Sequence, residues 1–272
     1  MKTTIKDENR FESDADRYAA YLETPEGRLR ADLAFQNLQD FLPASPAISS
    51  MRALDLGGGP GAASVRLARL GVQVTLLDSS PAMLELAERA IVEAGVSDKI
   101  ILKRGDATKL ADMFPAASFD MILCHNLLEY VDDPSAVLRV AASLVRGPSA
   151  ILSVLVRNQA GEVLKSALQS GDLAAAEDNL GAEWGRESLY AGKVRLFTSD
   201  TVEAMLKDAA LKVVARRGVR VIVDYLPAHI SRQAEYERIL ALEHKLGTRW
   251  EFFGVARYLH FLASPVAPPK VN

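Results

Sequence analysis

The run Asp55-Leu56-Gly57-Gly58-Gly59-Pro60-Gly61 sets a carboxylate two residues ahead of a cluster of glycines. It lies between the apolar stretch Ala53 to Leu56 and a helical segment carrying Ser64, Val65, Leu67 and Ala68. Glycines at a strand-to-helix junction let the backbone turn sharply and pass close to a ligand without a Cβ clash. Two chemistries fit the spacing. Gly57-x-Gly59-x-x-Ala62 satisfies the dinucleotide fingerprint, which would make the chain an NAD(P)-dependent oxidoreductase. Asp55 favours S-adenosylmethionine (SAM) instead, because a carboxylate at a strand end suits an ammonium group, which SAM has and NAD lacks. Pro60 also removes an amide that a pyrophosphate would use at the helix start. A tight turn with no ligand is the plainest reading of the same residues.

Asp78, followed by Ser79, closes the next apolar stretch, and its two oxygens suit the two hydroxyls of a ribose. A helix cap is its alternative duty, although Ser79 and Ser80 stand ready for that. Gly105-Asp106-Ala107 follows a third apolar stretch. There the Asp106 side chain would accept from an adenine amino group and the Ala107 amide would meet a ring nitrogen, or the pair is an ordinary turn. Three such features at the ends of successive strands mark the edge where open α/β sheets bind ligands.

The elements that must hold these residues can be read from periodicity. Two helices occupy the first forty residues, the second opened by Thr24-Pro25, and 43–50 is a linker. From Arg52 short apolar runs alternate with amphipathic helices, as in strands buried on both faces of a parallel sheet. Strands are expected at ALDL, VTLLD, IILKR, MILC and 150–156, then at 212–221 and 257–262, with a late helix over 231–246. Residues 157–197 break the rhythm and read as an inserted cap. The expectation is one α/β domain with a doubly wound, mostly parallel, Rossmann-like seven-stranded sheet. It is divided as helical lid 1–50, cofactor core 51–156, cap 157–197 and remaining sheet 198–272.

Composition narrows the setting. The 272 residues are 49% hydrophobic and 25% charged, enough for a full core. One cysteine, Cys124, excludes a disulfide framework, and the four histidines lack ligand spacing, so no metal is expected. No leader and no membrane span are read from the sequence, and the expected location is cytoplasmic. A net charge of −3 argues against nonspecific coating of nucleic acid while permitting a local basic patch.

Asp55 to Gly61, Asp78, Gly105 to Ala107 and the run Phe119 to Tyr130 together resemble the class I SAM-dependent methyltransferases. A narrower likeness, to the tRNA 5-carboxymethoxyuridine methyltransferases, rests on Gly27-Arg28-Leu29-Arg30, His125 with Leu128-Glu129-Tyr130, Gly218 to Val221 with Asp224-Tyr225-Leu226, and Arg257 to His260. That resemblance implies SAM as cofactor and the tRNA anticodon region as partner. It also implies that Arg30 binds the methionine carboxylate, that His125 lies at the methionine end, and that an arginine such as Arg220 orients an acceptor carboxylate. The inserted segment departs from the family in one respect: Ala191 to Arg195 holds only two cations. A small-molecule O- or N-methyltransferase is the alternative, and for a phenol or amine acceptor His125, Glu129 or Tyr190 would be the base. Strand alternation predicts Arg216 and Arg220 on one face and Arg217 on the other. Tyr236, Ile239, Leu240 and Leu246, at helical spacing, are expected in the core.

Overall fold

The structure is a computed structural model and describes residues 14–44, 47–186 and 192–266. Helix α1 (Ala15–Glu23) leads directly into α2 (Pro25–Gln39). Thr24 caps α2 as its sequence predicts: its hydroxyl accepts from the Gly27 amide at 3.1 Å, and Pro25 takes the first turn, where no amide is needed.

The βα alternation then runs β1 (Arg52–Leu56), α3 (Ala62–Arg69), β2 (Gln73–Asp78), α4 (Pro81–Glu93), β3 (Ile100–Arg104), the short α5 (Leu110–Met113) and β4 (Met121–His125). It continues with α6 (Pro134–Leu144) and β5 (Ile151–Arg157). The described part of the segment that breaks the rhythm holds α7 (Gln159–Leu164), a π-helical turn at Lys165–Gln169, α8 (Leu173–Asn179) and the paired short strands β6 (Trp184–Arg186) and β7 (Lys193–Arg195). The chain then adds α9 (Ser199–Asp208), β8 (Leu211–Val219), α10 (Tyr236–Gly247), α11 (Trp250–Phe253) and β9 (Tyr258–Pro265).

One seven-stranded sheet has the order β3-β2-β1-β4-β5-β9-β8. Neighbours from β3 through β5 are parallel, and β9 is antiparallel to both β5 and β8. Successive units build outward on one side from β1 to β3 and on the other from β4 to β5. The winding therefore reverses between β1 and β4, where an open sheet leaves a crevice at its carboxyl edge. Apolar clusters fill both faces. Leu38, Val65, Leu67, Ala87 and Ile91 cover one under α2, α3 and α4; Val137, Leu138, Leu144, Val202 and Leu206 cover the other under α6 and α9.

Two boundaries differ from the sequence expectation for local reasons. Strand β8 stops at Val219 rather than 221 because Arg220 takes a left-handed φ of 62°, and the next three amides turn to the buried Glu243 carboxylate. The late helix starts at Tyr236 rather than 231. Arg232 instead donates to the carbonyls of Val223 and Leu226 and pairs with Glu26, holding 231–235 as turns. Tyr236, Ile239 and Leu240 are core as expected, whereas Leu246 is only half-buried.

Candidate active site

A cavity of about 1160 Å³ opens at the carboxyl edge of the sheet, at the point where the winding reverses. Arg30, Asp55, Gly57, Gly58, Gly59, Asp78, Ser79, Asp106, Ala107, His125 and Arg220 all line it.

The glycine loop is shaped by contact. Gly57 and Gly59 have φ of 62° and 52°, and a Cβ on Gly58 would sit 2.7 Å from Leu76 Cγ and 3.0 Å from the Asp55 carboxylate. Its amides are spoken for. Gly57 and Gly58 donate to the Leu77 carbonyl at 2.8 and 3.2 Å, and Gly59 donates to Asp78 Oδ2 at 2.9 Å. With three consecutive donors used inside the protein and a proline next, the loop offers no run of amides to a pyrophosphate. This removes the main physical support for the dinucleotide reading.

Asp55 lies beneath that loop, buried, accepting from Ser64 Oγ at 2.7 Å. Burial, with a smaller push from the Asp78 charge, raises its carboxyl to about 6 against the pull of Ser64. Asp78 accepts from Gly59 and, through Oδ1, from the Ser80 amide at 2.9 Å. Ser80, not Asp78, caps α4 by accepting from Met83 at 3.3 Å, so the helix-cap alternative for Asp78 falls away. Each Asp78 oxygen keeps a further acceptor position. Asp106 does serve as a cap, accepting from Thr108 at 2.8 Å at the start of a 3-10 turn, and Ala107 is buried next to it.

The opposite wall is cationic and aromatic. Arg30 is buried and has no carboxylate partner among the described residues. It donates to Tyr18 Oη at 2.7 Å and lies 5.6, 5.2 and 5.7 Å from the ring centres of Tyr18, Tyr21 and Tyr258. Arg220 pairs with Asp224 and donates to Tyr21 Oη at 2.9 Å. Arg257 and Arg157 share Glu162 at 2.6 and 3.7 Å. Burial alone would raise the Tyr258 phenol, but Arg30, Arg157, Arg220 and Arg257 outweigh it and bring it down to about 8. The strand-alternation expectation fails here. Arg216 pairs outside with Glu203 of α9, while Arg217 and Arg220 both reach the N-terminal helices, because the left-handed backbone at Arg220 redirects its side chain.

Of the residues considered as bases, Tyr190 lies outside the described residues. Glu129 is buried, accepts from Asn126 and the Arg157 amide, and is pushed above the usual carboxylate range by burial. His125 contacts Ser153 Oγ through Nε2 at 2.8 Å, and burial together with Arg30 lowers it to about 4. Asn126, which holds Glu129, carries a strained φ of 53° at the cavity wall. Tyr18, Tyr21 and Arg157 were not foreseen as site residues. The signal available for Arg157 was a guanidinium ending a strand whose one other polar residue is Ser153.

A family model described as a methyltransferase domain matches residues 26–216. The chain belongs to the methyltransferase domain family. The enzyme is 29% identical to the tRNA 5-carboxymethoxyuridine methyltransferase of Escherichia coli, over 98% of this chain and 100% of that protein. It is 36% identical to a ubiquinone biosynthesis O-methyltransferase of Xanthomonas campestris, over 46% of this chain and 52% of that one.

Among solved structures, the methyltransferase bound to a Haloferax volcanii methyltransferase activator aligns with TM-score 0.64 at 18% identity, covering 96% of this chain and 98% of the other. A SAM-dependent methyltransferase of Thermotoga maritima aligns with TM-score 0.63 at 15% identity, covering 95% and 99%. The enzyme is thus a SAM-dependent methyltransferase with a Rossmann-like fold. The residues present suit SAM: a glycine cradle that a Cβ would fill, carboxylates under and beside it, and a buried guanidinium lacking an anion. Among the described residues no helix is long and apolar enough to cross a membrane, and no three His, Cys, Asp or Glu side chains are grouped to hold a metal ion.

Proposed function

We propose that the enzyme methylates a carboxylate, that of 5-carboxymethoxyuridine in the anticodon region of tRNA, within the cytoplasm. The observation that carries this reading is the correspondence with the Escherichia coli protein of that activity, which extends over 98% of this chain and so beyond the cofactor half. The cationic wall around Tyr258 supports an anionic acceptor.

SAM supplies a methyl group made electrophilic by its sulfonium. In this reading Asp55 faces the ammonium group, Asp78 with Ser79 takes the ribose hydroxyls, Asp106 and Ala107 meet the adenine, and Arg30 with His125 receives the methionine carboxylate. A carboxylate acceptor is already ionised at neutral pH, so no general base is required, and orientation is the main contribution of the protein. Esterification removes the acceptor's charge, so a clamp that held that charge too strongly would stabilise the ground state over the transition state. Asp224 beside Arg220 and Glu162 beside Arg157 and Arg257 temper the clamp accordingly.

Mass spectrometry of tRNA from a strain lacking the protein tests the acceptor. The methyl ester should vanish while the free acid accumulates; unchanged ester rejects the RNA assignment. Turnover of a metabolite without any response to added tRNA would favour the small-molecule alternative.

Two results are expected at the cofactor end. Asp78→Ala should weaken SAM binding by about 1.5 to 3 kcal/mol, roughly tenfold or more, in a calorimetric titration, and an unaltered affinity would remove Asp78 from the site. Binding should also be linked to protons. The free Asp55 carboxyl stands near 6, and a facing ammonium lowers it, so SAM should bind more weakly as pH falls below 6 and release protons on binding in that range. Titrations in buffers of different ionisation enthalpy read that release, and its absence would leave Asp55 without the ammonium.

A further inference from the structure

A row of polar side chains crosses the sheet face beneath α2. His125 ends β4, Ser153 lies in β5 and His260 in β9, and the register sets Leu155 opposite both His125 and His260. Ser153 is two residues from Leu155, so the three polar side chains share a face. Asn37 of α2 comes down on the same face. Asn37 Nδ2 lies 3.3 Å from His260 Nδ1, His260 Nε2 lies 2.8 Å from Ser153 Oγ, and Ser153 Oγ lies 2.8 Å from His125 Nε2. Asn37, Ser153 and His260 are buried, and His125, at the end of the row, lines the cavity.

With the Asn37 amide nitrogen facing His260, the donors and acceptors in this row run in one direction. An amide nitrogen only donates, so His260 accepts at Nδ1 and, as a neutral ring, carries its hydrogen on Nε2. That hydrogen goes to Ser153, whose single hydroxyl hydrogen passes on to His125 Nε2. His125 is then left with its hydrogen on Nδ1, which has no partner among the described residues. Both rings are held neutral, since among the described residues no carboxylate acts on them: burial lowers each, Arg30 of α2 lowers His125 further, and His125 and Arg217 of β8 lower His260.

We infer that Asn37, His260 and Ser153 are positioning residues that impose this direction on His125, so that it meets the cavity as a neutral Nδ1–H donor near Arg30, addressed to an oxygen of the ligand. The functional half of this inference rests on the cavity being the SAM site; the tautomer does not. It also assigns His125 away from general base, since its one basic nitrogen is tied to Ser153.

Long-range proton–nitrogen NMR of the 15N-labelled full chain decides the matter. Between about pH 5 and 8, the range in which an ordinary histidine titrates, His125 should stay neutral with Nδ1 protonated, and His260 neutral with Nε2 protonated. His125 found as the Nε2–H form, or as imidazolium, overturns the inference; the first outcome would mean that the Asn37 amide is turned over and every step reversed. This reading needs no variant.

Ser153→Ala should then release His125 toward the Nε2–H form and weaken SAM binding about tenfold. An unchanged tautomer in Ser153→Ala would end the positioning role. If the unaltered protein shows the expected tautomers but binds no SAM, the proposed function fails while the relay stands.

Discussion

Arg30→Met should lower SAM affinity by about 100-fold while leaving the thermal unfolding midpoint unchanged or slightly raised, the binding loss being the scale expected when one partner of a buried charge pair is removed. The two halves of this expectation have one cause. Arg30 is buried and among the described residues has Tyr18 Oη and the faces of Tyr18, Tyr21 and Tyr258 against its guanidinium; burial opposes its charge while the tyrosines offset that cost. A guanidinium held in that way has no carboxylate partner until the ligand arrives, so an apolar side chain of similar length keeps the packing and removes the burial cost as it disables the ligand contact. A lowered midpoint with full SAM affinity would make Arg30 a structural residue. Calorimetry with SAM and a thermal scan of the ligand-free variant give both readings.

The second large effect lies far from any ligand. Glu243→Ala should cost about 4 kcal/mol of folding stability, because it strands buried backbone amides that have no other acceptor. Glu243 is fully buried and accepts from Val221, Ile222 and Val223 at 2.6, 2.9 and 2.7 Å. Those bonds turn the chain out of β8 and support the left-handed Arg220 next to them. Denaturant unfolding should show the lower midpoint, and in whatever fraction remains folded the acceptor KM should rise, since Arg220 has lost its support. A change within about 0.5 kcal/mol, the usual range for surface substitutions, would show that water can replace the carboxylate.

Glu243 also marks a limit of sequence reading. It sits among Tyr236, Ile239 and Leu240 in a helical stripe that reads correctly as core, yet the pattern contains nothing to say that the carboxylate turns inward to a loop twenty residues earlier. The same applies to Ser153 and His260. Each interrupts an apolar strand, a legible anomaly, but their meeting depends on β9 inserting antiparallel between β5 and β8.

Local chemistry could be read from the chain because its determinants are local. Alternating apolar runs and caps such as Thr24 specify βα units through neighbours within a few residues, and Asp55, the glycines, Asp78 and Asp106 lie at or just after strand ends that the alternation already locates. Their convergence on one edge follows from parallel strands in a sheet.

Which cations face the cavity, and with what partners, depends on contacts between distant segments. Arg220 meets Tyr21 across 199 positions, Arg257 meets Glu162 across 95, and Arg157 joins them from the end of β5. Strand alternation misplaced Arg220 because a single left-handed residue, stabilised by another helix, breaks the period on which that reasoning relies. Periodicity carries information only over the few residues sharing one backbone geometry, whereas the charge and hydrogen-bond state of a buried group is set by whatever the rest of the chain packs against it.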